Sequence, residues 1–180
     1  MEVKLEWLGG IDGSSMEKFN NFCDNELPND KKGGVYFWVF KGKPERIIYI
    51  GQTYDFFERF YAHLRDIVLK KYTLLDCATS EECFERMQEL DKEPKQKAAT
   101  QENWEKWFGK LRFVFAYIEP NDKETRCFAE SELIQRTMDT YGLKYANSFC
   151  SKTSSKGKIT FNLKGKPDEF ILRELNLQDK

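Results

Sequence analysis

Tyr36, Tyr49, Arg59 and His63 place two phenols, a permanent cation and the only imidazole of the chain within one short stretch, GVYFWVFKGKPERIIYIGQTYDFFERFYAH. A phenol is a poor base at its ordinary pKa of about 10, so a cation or metal close by is needed before it can take up a proton. The elements that would hold these groups follow from the pattern around them. Gly34–Phe40 and Arg46–Gly51 are rich in aromatic and β-branched residues and flank a Lys-Gly-Lys-Pro segment, which predicts an antiparallel hairpin. Pairing Phe40 with Glu45 across a four-residue loop puts Tyr36 directly opposite Tyr49, on one face of the sheet. A slip of one residue would separate them onto opposite faces.

After Gly51 the pattern turns helical. Thr53 or Asp55 is available as a cap, and Phe57, Phe60, Leu64, Ile67 and Val68 recur at helical spacing, predicting a helix from about Tyr54 to Lys70. Arg59 and His63 stand one turn apart on a neighbouring stripe, near the end of the strand that carries Tyr49. Taken singly, each of these residues has an ordinary explanation: strand tyrosines pack across strands, and an Arg/His pair on a helix faces solvent.

As a set they resemble a known family. Gly34-Val35-Tyr36, then Tyr49-Ile50-Gly51, then Arg59 and His63 are similar in order and spacing to the GIY-YIG nuclease superfamily. Glu130-Ser131-Glu132-Leu133-Ile134 resembles that family's Glu-x-x-Leu/Trp-Ile helix, and Tyr145-Ala146-Asn147 its terminal Tyr-Asn element. The resemblance covers roughly residues 33 to 150. Gln52 departs from it, since some relatives carry Lys there, and the segment between the first helix and the third strand is long.

The resemblance implies phosphodiester hydrolysis, which requires a nucleophilic water, neutralisation of charge on the phosphate and help for the departing oxygen. Glu130 would hold one Mg²⁺ or Mn²⁺ per active site, because such ions keep several waters and take further ligands from substrate. Arg59 would bind phosphate through its fixed fork of donors. Tyr49 would deprotonate the water with Tyr36 alongside, His63 would orient the water or contact phosphate, and Asn147 would hold the site together by hydrogen bonds. The choice of Glu130 over its neighbour Glu132 rests on the family's spacing, with Glu132 turned to the surface.

Composition sets the outer limits. The 180 residues fit one domain with a substantial core, and 33% charged, 40% hydrophobic and 15% aromatic residues are ordinary for a soluble globular protein. A net charge of −1 means that nucleic acid would be met by a local basic patch rather than by the field of the whole molecule. Cys23, Cys77, Cys83, Cys127 and Cys150 form no Cys-x-x-Cys pair, and with a single histidine they speak against zinc. An odd cysteine count without a secretory leader or long apolar run suggests reduced thiols, a cytoplasmic location and no membrane span.

Residues 1–33 read as an N-terminal extension. Val3, Leu5 and Trp7 alternate like a short strand that Gly9-Gly10 breaks, and Ser14 or Ser15 caps a short helix with Met16, Phe19, Phe22 and Cys23. An acidic amphipathic helix is predicted over Asp76–Glu93, its face turned away from nucleic acid, followed by a connector from Lys95 to Gly109 with Trp104, Trp107 and Phe108. Leu111–Ile118 is the third strand. Thr125–Tyr141 is a helix whose buried face would use Cys127, Phe128, Leu133, Ile134 and Met138, with Gly142 as its stop. The basic C-terminal extension carries Lys152, Lys156, Lys158, Lys164 and Lys166 before Asp168, either as a solvated tail or as a phosphate-contacting loop. Within it Ile159–Leu163 reads as a short strand and Phe170–Leu177 as a final helix.

The expected fold is therefore α/β: a small, mainly antiparallel three-stranded central sheet flanked by helices, in one domain with a core over 34–150 and short extensions. The expected function is a metal-dependent DNA endonuclease. The extensions are too short for a separate recognition module, which favours a self-contained restriction, phage or defence enzyme. One metal site cuts one strand, so double-strand cleavage would favour a homodimer. Two alternatives stay open: a catalytically silent nucleic-acid-binding or interaction module of the same fold, and a nuclease acting on RNA or branched DNA.

Overall fold

The computed structural model describes residues 1–13, 21, 22, 24, 25, 30–68, 109–141 and 159–177, with side chains as far as Ala62 in the helix that ends at Val68. Among the described residues five strands, β1 (Glu2–Asp12), β2 (Gly34–Phe40), β3 (Arg46–Thr53), β4 (Leu111–Glu119) and β5 (Thr160–Gly165), join three helices with described bounds, α1 (Phe56–Val68), α2 (Lys123–Tyr141) and α3 (Glu169–Glu174). The strands form one open sheet in the order β3-β2-β4-β1-β5, antiparallel throughout except for the parallel β1–β5 pair. The architecture is α/β, and the sheet is five-stranded and mixed rather than three-stranded. Both segments read as extensions supply a strand: β1 bonds to β4, and β5 bonds to β1.

β1 is also longer than its sequence suggests. It runs through Gly9-Gly10 because Leu8 is accommodated as an extra residue: Trp7 pairs with Ala116 and Gly9 with Phe115. Gly9 takes a φ of +101°, a backbone region that a side chain disfavours, so the glycine lets the strand continue instead of breaking it.

β2 and β4 sit in the middle of the sheet and are covered on both faces, so they read as continuous apolar runs; every residue of β2 is buried. The pairing of Tyr36 with Phe115 and Trp38 with Phe113 sets these four rings on one face. α1 packs there, with Phe56 edge-on to Phe115 at 5.6 Å and Phe60 edge-on to Phe113 at 5.7 Å, and Phe22 stacks on Phe115 at 5.5 Å. On the other face Trp7 stacks on Phe37 at 5.8 Å. Arg112, pointing the same way, bonds to Glu45 and Asp168 and lies over the Phe170 ring, tying α3 to the sheet. Asp168 also caps α3 by accepting from the Ile171 amide.

α2 lies along the open edge of β3, and its composition reflects that. Its buried residues are Thr125, Arg126, Ala129, Glu130, Leu133 and Thr137, whereas the expected Phe128, Ile134 and Met138 are only partly buried and Cys127 is intermediate. An edge strand presents unpaired backbone groups, so the helix covering it needs polar side chains on its inner face. Two of those groups are accounted for: Glu130 Oε1 accepts from the Gln52 amide at 3.1 Å, and the Tyr141 hydroxyl accepts from the Ile47 amide at 3.1 Å. Eleven helical residues at about 1.5 Å and five strand residues at about 3.3 Å both span about 16 Å, so helix and strand run antiparallel in matching steps.

The expected helices over 76–93 and within 95–109 lie outside the described residues. No described helix is long and apolar enough to cross a membrane.

Candidate active site

The hairpin register differs from the simple expectation. Phe40 pairs with Arg46 rather than Glu45, and Trp38 pairs with Tyr49 while Val39 pairs with Ile47, so Ile48 is an extra residue in β3. Each change shifts the pairing by one residue. Together they set Tyr36 opposite Gly51 and Tyr49 opposite Trp38. A single shift would have parted the two phenols; two shifts restore the common face, and the rings stack diagonally, 5.9 Å between centroids with 27° between planes. Trp38, directly opposite Tyr49, packs against its ring at 5.1 Å. The bulge also buries Ile47 and Ile48 in succession and turns the Ile47 amide out toward Tyr141.

Gly51 is required by this packing. A Cβ there would lie 2.8 Å from Tyr36 Cε1 and closer still to Cζ and the hydroxyl oxygen, so the phenol occupies the volume a side chain would fill.

α1 then brings the cation. Asp55 caps it: its Oδ1 accepts from the Glu58 amide at 2.9 Å and its carbonyl from the Arg59 amide at 3.1 Å. Thr53 fixes the cap by donating its hydroxyl to the Asp55 carbonyl at 2.8 Å and accepting from the Asp55 amide at 3.1 Å. Both candidates for the helix start thus share the work. The fixed first turn places Arg59 so that its Nε donates to the Tyr36 hydroxyl at 3.2 Å, while the residue as a whole remains exposed.

Glu130 arrives from α2, 7% exposed and oriented by the Gln52 amide, one residue past Gly51. Its neighbour Glu132 is bonded to Arg136 at 3.0 Å, an ordinary i,i+4 pair on the helix surface. Gln52 links more of α2 to the site: its side-chain oxygen accepts from Arg126 Nε at 3.2 Å and its amide nitrogen reaches Cys127 Sγ at 3.8 Å. Asp122 caps α2 through the Thr125 amide at 2.8 Å and hydroxyl at 2.7 Å.

The electrostatics are those of a shielded pair of phenols beside one cation. Burial pushes the Tyr36 hydroxyl well above the usual tyrosine range and repulsion by Tyr49 adds to it, with Arg59 pulling the other way. Burial also raises Tyr49, but its hydrogen bond with Tyr36 and the Arg59 charge both favour its anion, while the nearby Glu130 carboxylate opposes it. Burial works against charge on Arg59, yet attraction to the two phenol oxygens outweighs it and holds the guanidinium protonated. At neutral pH both phenols are therefore hydrogen-bond donors.

The oxygen-rich donor set, one carboxylate with two phenols nearby, fits a hard divalent cation such as Mg²⁺ or Mn²⁺. Among the described residues no three His, Cys, Asp or Glu side chains converge on one point. Such an ion would rest on Glu130, with water and substrate completing its coordination.

Of the expected site residues, the structure brings together Tyr36, Tyr49, Arg59 and Glu130 from two strands and two helices. The His63 side chain, Asn147, Lys152, Lys156 and Lys158 lie outside the described residues. Sequence reading missed Arg126 and the double role of Gln52; the one available signal was a basic residue one turn before Glu130. Compared with known proteins, the chain matches no family model, no curated protein and no solved structure.

Proposed function

We propose that this chain is a metal-dependent endonuclease of GIY-YIG type that hydrolyses DNA phosphodiester bonds. The observation that carries this reading is the hydrogen bond from Arg59 Nε to the Tyr36 hydroxyl at 3.2 Å, which joins the first tripeptide to the helix behind the second. Tyr49 stacked on Tyr36 and the oriented carboxylate of Glu130 support it.

Arg59 gives its Nε donor to Tyr36 and also bonds to Tyr49, and the N–H donors left on this exposed side chain suit a phosphate whose charge grows as the bond breaks. Of the two phenols Tyr49 is the one whose anion both Tyr36 and Arg59 stabilise, although burial holds its proton on; only after a bound cation had driven that proton off to solvent would Tyr49 take one from the attacking water. Tyr36 positions Arg59 and donates toward Tyr49. A divalent cation held by Glu130 would neutralise charge on both the phosphate and the carboxylate. With one such site per chain, cutting both strands calls for two copies.

The test is incubation of purified protein with supercoiled plasmid in Mg²⁺ or Mn²⁺, beside a single-stranded RNA of similar length. Nicked or linear plasmid with intact RNA is expected, and no product from Glu130→Ala or Arg59→Ala. Plasmid cleavage that survives both substitutions overturns the reading.

A further inference from the structure

We propose that Arg126 is a second phosphate-binding residue, which grips the phosphate neighbouring the one held at Arg59 and uses the exposed ring of Tyr54 beside it. The inference rests on the nuclease reading for its substrate class, and it starts from a cation that burial leaves poorly compensated.

Arg126 is 6% exposed. Its Nε donates to Gln52 Oε1 at 3.2 Å, and its Nη1 donates to the Asn121 carbonyl at 3.2 Å and to Asn121 Oδ1 at 2.6 Å. All three acceptors are neutral. No carboxylate among the described residues forms an ion pair with it, in contrast to Arg112 with Glu45 and Asp168, or Arg136 with Glu132. A guanidinium removed from water without an anion is costly, so such a site favours an incoming anion. The remaining nitrogen, Nη2, donates to no acceptor among the described residues, which leaves its two N–H groups for an anion that reaches the site.

Placement supplies the kind of anion. Arg126 stands one turn before Glu130 on the same buried stripe of α2, and Gln52 bridges them, its amide on the Glu130 carboxylate and its side chain on Arg126. On a helix that spacing is about 5–6 Å, near enough for one nucleic-acid strand to meet both. The Arg126 guanidinium also lies 5.6 Å from the centre of the Tyr54 ring, which is 54% exposed and offers a sugar or base a flat apolar surface. Gln52, neutral itself, thus holds a guanidinium on its side chain beside the Glu130 carboxylate.

The experiment measures binding of a fluorescent DNA duplex in EDTA, so that no cleavage enters, over a range of salt for wild type, Arg126→Gln and Arg126→Lys. Each phosphate contact contributes about 0.9 to the slope of log affinity against log salt on duplex DNA. Arg126→Gln is expected to bind about tenfold more weakly at low salt and to lose close to one contact from the slope, by that rule. Arg126→Lys keeps most of the slope. An Arg126→Gln protein with the wild-type slope overturns the proposal, whether or not its melting temperature falls, and so does a wild type that binds no duplex. A wild type that binds with the expected slopes but never cuts with Mg²⁺ or Mn²⁺ leaves the phosphate site standing and removes the nuclease reading.

Discussion

Gly51 lies directly opposite Tyr36 on the neighbouring strand, and the space where its side chain would be is filled by the Tyr36 ring. The glycine of the second tripeptide therefore exists for the tyrosine of the first. The contact decides where that phenol points, and through the 3.2 Å bond to Nε it also decides where Arg59 is anchored.

Gly51→Ala should accordingly move Tyr36 and unseat Arg59. Overpacking of this kind costs about 1–3 kcal/mol, and urea denaturation is the measure. Cleavage should fall further than the stability loss explains when assayed well below the melting temperature. A variant with wild-type stability and cleavage would show that the ring is free to shift.

The phenols predict alkaline instability. Both Tyr36 and Tyr49 are raised above the ordinary value by burial, so the unfolded chain gives up these protons first as pH rises. The stabilisation is complete below about pH 10, the ordinary tyrosine value, and is lost as pH climbs toward the folded values. Denaturation at a series of pH values up to 11 or so should show a slope above that point which Tyr36→Phe reduces. An unchanged slope in the variant would place the linkage elsewhere.

Tyr141→Phe tests the closure of the sheet edge at its far end. The substitution leaves the Ile47 amide without its acceptor, at a cost of about 1–2 kcal/mol for a part-buried donor. Hydrogen exchange at Ile47 should quicken while the Gln52 amide, held by Glu130, keeps its protection. Equal protection at Ile47 in both proteins would contradict the edge-covering role of α2.

Strands and helices were readable from the sequence wherever burial follows apolar residues: β2, β3, β4 and α1 all announce themselves that way, and β1 and β5 partly so. The pairing was not. Bulges at Leu8 and Ile48 depend on which strand lies alongside, and a glycine pair that looks like a break becomes a bulge when a partner strand holds both sides. The buried face of α2 was misread for a related reason. Periodicity finds apolar stripes, while this helix covers an edge whose amides demand Glu130 and Tyr141, with Arg126 and Thr137 on the same inner stripe. Tyr36, Tyr49 and Arg59 could be grouped from local spacing alone; Glu130 joined them only through its family resemblance, since nothing in the pattern near residue 130 says which strand edge it meets.

The most direct test asks whether Arg59 and Glu130 serve one reaction. Single-turnover cleavage of a plasmid in Mg²⁺ is measured for wild type, Arg59→Ala, Glu130→Gln and the double variant. Groups that act together on one transition state lose their effect together, so each single change should slow cutting by about 10²-fold or more and the double should be no slower than the worse single. Losses that multiply across the two positions, or cutting that neither change slows, would contradict a single site built from these side chains.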